Sequence, residues 1–189
     1  KIAEDGRTPF EMDLNDPKPV LAANYLKINP VYWQQVDRKM KHFWENGFTL
    51  FVETVRRSEA WPDEAREEKA AFANYVRYLW ARYGAYNLIF SWLHWDAGKG
   101  RHEAYRPMID QAYKKLGPMP YGQPKTAMSA GSEGDSDKTW GTGAKAPWLD
   151  LHNIINGKRN ASMYSMLRQQ YALPNPLPSI NLEPFYPGW

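Results

Sequence analysis

The sequence has no cysteine. That excludes disulfides, thiolate metal sites and a cysteine nucleophile, and it leaves the compartment open. Long apolar runs are missing too, with none near the ~18 residues of a membrane span. Blocks of like charge are short, and 24 basic against 21 acidic residues leave a net charge of only +3. A nucleic-acid footprint of clustered Lys and Arg is therefore absent. No apolar run is followed by G-x-G-x-x-G or G-x-x-x-x-G-K-[ST], so a phosphate loop is not expected. The spacings H-x-H and H-E-x-x-H do not occur among His94, His102 and His152, which argues against a metal site. Ser129 and Ser132 lack the G-x-S-x-G elbow of a serine hydrolase. The expected chain works without metal or cofactor.

Aromatic side chains are what the sequence has in excess. They make up 15% of 189 residues, with nine Trp and twelve Tyr. That is more than a core of this size needs, so some rings are expected to face a ligand. Flat aromatic faces suit the C–H faces of sugars.

Along the chain, residues 1–29 carry turn signals at Asp5-Gly6 and Asp16-Pro17 and read as a long loop. Asn29-Pro30 opens a helix with the stripe Trp33, Val36, Met40 and Phe43, closed by Gly47. A strand at 48–53 follows, then a helix at 63–83 with Phe72, Val76, Leu79, Trp80 and Tyr83 on one face. Further strands are expected at 87–93, 125–129, 148–152 and 178–183, with helices at 102–116 and 158–171. Residues 118–146 form a second long loop, dominated after residue 129 by Gly, Ser, Asp and Thr. Strands alternating with helices imply right-handed βαβ units and a parallel sheet.

Every expected strand ends in a polar or acidic residue: Glu53, Asp96, Ser129, His152 and Glu183. Catalytic groups of a β/α barrel occupy that lip. Asp96 follows His94 and Trp95, and Glu183 precedes Pro184, Phe185 and Tyr186. Two strand-end carboxylates among Trp and Tyr suggest sugar chemistry. Cleavage of a glycosidic bond needs a proton donor for the leaving oxygen and a second carboxylate on the other face of the ring. Desolvation by neighbouring rings, Trp92, Trp95 and Tyr186, would raise the acid toward neutrality. Glu53, His94, His152 and Asn153 are candidates for binding sugar hydroxyls. Trp95, Trp140 and Tyr186 are candidates for stacking on the sugar. The bland alternatives are a rim ion pair for Glu53, structural roles for His152 and Asn153, and core packing for Trp140.

Four segments in order resemble a bacterial family of (β/α)8 glycoside hydrolases that includes the apiosidases of glycoside hydrolase family 140. They are Asn-Pro-Val-Tyr-Trp-Gln-Gln-Val-Asp (29–37) with Asn-Gly-Phe (46–48), Ala-Arg-Tyr-Gly-Ala-Tyr-Asn-Leu-Ile-Phe-Ser (81–91) leading to Asp96, Trp-Leu-Asp-Leu-His-Asn (148–153), and Asn-Leu-Glu-Pro-Phe-Tyr (181–186). The resemblance implies a TIM-type barrel of which residues 1–189 supply about strands three to seven, with 1–29 and 118–146 as loops of the active face. Further chain segments would complete the barrel, since a full one takes about 250 residues. It implies Asp96 as acid/base and Glu183 as nucleophile, acting on an oligo- or polysaccharide of plant or algal origin. The family's strand-four ending is Gly-Gly-Asp or Gly-Gly-Glu, whereas here His94-Trp95 precede the acid.

The alternatives are a non-catalytic carbohydrate-binding relative, or a polysaccharide lyase or sugar isomerase using the same face. Neither nucleic acid nor membrane is an expected partner. The expected location is secreted or periplasmic in a bacterium. The chain opens at Lys1 without an initiator Met, which is compatible with a removed or omitted leader.

Overall fold

The structure is a computed structural model that describes residues 3–17, 23–55, 69–94, 102–129, 135–155 and 160–183. Its elements are β1 (Phe10–Glu11), β2 (Asn24–Ile28), α1 (Pro30–Glu45), β3 (Leu50–Glu53), α2 (Lys69–Tyr83) and β4 (Leu88–Ser91). They continue with α3 (His102–Leu116), β5 (Lys125–Thr126), α4 (Ser136–Trp140), a 3-10 turn (Gly143–Lys145), β6 (His152–Ile155), α5 (Asn160–Tyr171) and β7 (Ser179–Glu183). The chain is mixed α/β and divides into two compact units. The first is Lys1–Phe51, Trp61–Leu88 and Pro107–Gln123; the second is Val52–Ala60, Ile89–Arg106 and Pro124–Trp189.

Local chemistry explains the first unit. Asn29 caps α1 by accepting the Val31 N–H at 3.2 Å, and Pro30 takes the first helical position, where no N–H is needed. Gly47 leaves the helix at φ 80°, a left-handed turn that favours glycine. Trp33 is buried, and its ring meets Tyr75 at 5.9 Å and Tyr78 at 5.8 Å on α2. Its indole N–H donates to the Pro9 carbonyl at 3.3 Å. Asp37 of α1 holds Arg82 of α2 through both carboxylate oxygens, one of them at 2.6 Å from Nε. Burial and the Asp37 carboxylate push the Tyr83 phenol above its ordinary range. The expected α2 stripe of Phe72, Val76, Leu79, Trp80 and Tyr83 is buried throughout. On α1 only Trp33 is buried; Val36 and Met40 are half-buried and Phe43 is exposed, because no described element covers that side.

Residues 1–29 are more ordered than their turn signals suggest. β1 and β2 pair antiparallel, with Phe10 opposite Ile28, and Phe10 stacks on Tyr25 at 5.0 Å and Tyr75 at 5.2 Å. Two-residue β1 is too short to show alternation in sequence, so ring packing rather than local pattern fixes it. Residues 118–146 likewise hold β5, α4 and the 3-10 turn. Asp135 caps α4 by accepting the Asp137 N–H at 2.9 Å.

The strands from β3 onward run in sequence order. β3, β4 and β5 form one sheet and β6 and β7 another. β4 and β5 are parallel, as are β6 and β7. Hydrogen bonds continue past the strand ends, from Thr54 N–H to Ser91 at 3.2 Å, His94 N–H to Val55 at 2.9 Å, and Met128 N–H to Leu93 at 3.3 Å. Such sequential parallel order is that of a partial barrel. Among the described residues no strand joins β7 to β3, so a closed barrel is not formed.

One strand lies elsewhere than its apolar pattern indicates. Residues 148–152 read as a strand, but β6 begins at His152, where its N–H takes the Pro178 carbonyl at 2.7 Å. Trp148 and Leu149 instead sit in a turn, with Leu149 N–H bonded to Ala146 at 3.0 Å. Asp150 anchors that turn by accepting the Lys125 N–H at 2.9 Å and the Lys125 ammonium. Its apolar residues fill a tryptophan core: Trp148 meets Trp140 at 5.5 Å and Trp92 at 6.3 Å.

Candidate active site

All of the expected site residues fall in the second unit. Asp96, Trp95 and Tyr186 lie outside the described residues. Glu183 ends β7 and is half-buried. The register there carries an irregularity: Ile154 faces Asn181, but Ile155 faces Glu183, so Leu182 is an extra residue on β7. A bulge of this kind bends the strand and re-aims the next side chain, a device concentrated near active sites. It brings Glu183, rather than Leu182, opposite the last residue of β6.

Glu53 ends β3 and is half-buried. His94 follows β4 and is 6% exposed. With β3, β4 and β5 in one sheet, Glu53, His94 and Ser129 share its C-terminal edge. Glu183 occupies the matching edge of the β6–β7 pair.

Three expectations change. Trp140 is not a stacking platform, being 1% exposed with its indole N–H donated to Met128 at 3.0 Å and Ala127 at 3.2 Å. Arg106 lies over the ring at 5.5 Å from its centroid and donates to the Trp140 carbonyl at 2.6 Å. The loop's own composition is polar, but the ring is drawn into a core made by residues distant in sequence. Second, His152 and Asn153 open β6 rather than end it, so they sit below the lip. Third, Asn153 has no donor left for a sugar: its amide Nδ2 donates to Thr126 Oγ1 and Ala127 O, both at 2.7 Å. Its Oδ1 accepts the Ser129 N–H at 3.1 Å.

His152 is fully buried, with Nδ1 3.0 Å from Ser136 Oγ. Ser136 Oγ already accepts the Asn153 N–H at 2.9 Å, which leaves its proton for Nδ1 and places the imidazole proton on Nε2. Nε2 is buried without a partner. Burial holds the imidazole below its ordinary value of 6.5, against the opposing pull of Asp137 and Asp135. The ring is therefore neutral and does not serve as a cationic contact.

The polar frame around these residues was not singled out by their pattern. Gln170 of α5 donates to Asp135 Oδ1 at 2.9 Å and to the Asn153 carbonyl at 3.0 Å. Asp135-Ser136 has the look of a helix N-cap, the one signal that a short helix starts there. Gln170 gives no such signal, because its role depends wholly on a partner 17 residues earlier. Among the described residues no group of three His, Asp or Glu gathers to hold a metal, and no helix is long and apolar enough to cross a membrane.

Comparison with known proteins agrees with this arrangement. No curated protein and no solved structure matches the chain. A family model described as apiosidase-like, catalytic domain, matches residues 3–189. A half-buried acid at the bulged end of a parallel strand fits a catalytic domain of that kind, and the match spans nearly the whole sequence. The chain belongs to the family of apiosidase-like catalytic domains.

Proposed function

We propose that the protein is a retaining glycoside hydrolase acting on a plant or algal polysaccharide outside the bacterial cytoplasm. The observation that carries this reading is Glu183 at the C-terminal end of β7, behind a bulge, in a chain of apiosidase-like family. Glu183 attacks the anomeric carbon while Asp96 protonates the departing glycosidic oxygen, and the C–O bond breaks. The resulting ester on Glu183 is then displaced by water, whose proton Asp96 takes up. Glu53 and His94, on the neighbouring strand ends, are assigned to substrate hydroxyls, and Trp95 and Tyr186 to the sugar faces. Strands from further chain segments would pair with β3 and β7 to close the barrel, a completion supported by the sequential parallel order of β3 to β7.

The test is incubation of wild type, Glu183→Gln and Asp96→Asn with a panel of plant and algal polysaccharides, read by product chromatography. Turnover should fall by about a thousandfold or more in Glu183→Gln, with glycan affinity largely retained. Proton NMR of the first product should show the substrate's anomeric configuration. Wild-type activity surviving in Glu183→Gln removes the assignment, and an unsaturated product sugar makes the enzyme a lyase.

A further inference from the structure

Between β5 and β6 the backbone ladder stops early. Lys125 C=O accepts the Asp150 N–H at 2.8 Å and the Leu151 N–H at 3.3 Å, and beyond that side chains take over. Thr126 Oγ1 donates to the Leu151 carbonyl at 3.0 Å. Next comes Asn153, whose carboxamide gives a proton to Ala127 C=O and receives the Ser129 N–H. That carbonyl and that N–H, two residues apart on one strand, are the pair a parallel neighbour would bond. The carboxamide therefore stands in for one peptide unit of a missing ladder. Its own backbone is pinned by Ser136 on the N–H side and Gln170 on the C=O side.

We propose that Asn153 is a positioning residue that sets the spacing of the two catalytic carboxylates. This rests on the glycosidase reading above. β5 is bonded to β4 through Trp92 N–H to Thr126 at 2.9 Å and Met128 N–H to Leu93, and Asp96 lies three residues beyond Leu93 in sequence. On the other side Asn153 faces Ile180 in the β6–β7 register, three residues before Glu183. Beyond Thr126, the direct bonds joining β5 to β6 among the described residues are those of this one carboxamide. Without it the strands are tied at the Lys125 end alone and separate toward the lip, where both acids emerge. The nucleophile and the acid must reach one bond together, and a displacement of about 1 Å is enough to cost about a hundredfold in rate.

The experiment compares Asn153→Ala and the nearly isosteric Asn153→Asp with Arg106→Ala, which breaks two buried contacts of the same unit away from this joint. Both Asn153 variants should lose about 10- to 100-fold in kcat with KM within about threefold, because carboxylate spacing enters the transition state more than substrate binding. Arg106→Ala should lower Tm and leave kcat close to wild type. Amide hydrogen exchange gives a readout free of substrate. In Asn153→Asp, faster exchange should spread from Ser129 across to residues 179–183 of β7. Wild-type kcat in both Asn153 variants overturns the proposal, as does a kcat loss that merely follows Tm in all three. Should the wild type cleave no glycoside, the function falls and the exchange pattern decides the joint alone: faster exchange confined to Ser129 overturns it.

Discussion

The first unit is built from rings, with Phe10, Tyr25, Trp33 and Tyr75 in mutual contact and its ion pair, Asp37–Arg82, part-exposed. The second unit also has its rings, Trp92, Trp140 and Trp148, but it buries polar groups among them. Of the buried polar side chains only Thr8 belongs to the first unit; Thr54, Ser91, His94, Lys125, Thr126, Ser129, Asp135, Ser136, His152, Asn153 and Gln170 all belong to the second. An apolar interior of the same size would be the cheaper choice, since each buried polar group costs desolvation unless it is bonded. What such groups give in return is direction: a hydrogen bond fixes distance and angle where a ring contact tolerates sliding. The polar interior lies in the unit that holds both candidate acids, and the ring-packed unit holds none of the expected site residues.

The largest effect expected from disturbing this contrast is that of Trp140→Ala. Loss of a fully buried indole should destabilise the second unit by about 3–5 kcal/mol, measured by urea unfolding. A loss below about 1 kcal/mol would show that the tryptophan core is loosely packed. Next comes Ser136→Ala, which orphans the buried Asn153 N–H and His152 Nδ1 together. We expect about 1–3 kcal/mol, from the price of leaving buried polar groups unpaired. Asp37→Asn in the first unit should cost less, about 1 kcal/mol, because water reaches both partners of that pair. If Asp37→Asn proves the costlier of the two, the contrast between the units is wrong.

The gentlest lever is pH. His152 is held neutral by burial, with its folded value below 6.5. Above that pH the ring is neutral in folded and unfolded chains alike, and its contribution is intact. As pH falls below 6.5 the unfolded chain binds a proton that the folded chain refuses, so stability declines until the lowered folded value is passed. Melting temperatures of wild type and His152→Gln, compared at pH 7.5 and 5, should show the steeper acid loss in wild type. Parallel slopes would mean that His152 does not titrate differently on folding.

Much of the first unit was legible in residue order because its signals are local. Asn29-Pro30, Gly47 and the α2 stripe each act within a few residues, and α3 spans the expected 102–116. In the second unit, sequence reading marked Glu183 as a strand end, where the structure has it. It misplaced β6 because Trp148 and Leu149 look like strand residues, while the capture of Asp150 by Lys125 that bends them is long-range. Trp140 was misread for the same reason: its partners Ala127 and Met128 come from another element. Asn153 looks like any polar residue near a strand end, and its role exists only once β5 stands beside it.

The indoles of Trp92, Trp140 and Trp148 meet edge-on, at interplanar angles of 70° and 74°. Chromophores so close and so nearly perpendicular share their excitation, and fixed aromatic packing of this kind is what near-ultraviolet circular dichroism detects. The second unit thus carries an intrinsic optical label. The band vanishes when the indoles lose their fixed geometry, even while helices persist, so it can follow the packing around the candidate acids without any attached probe.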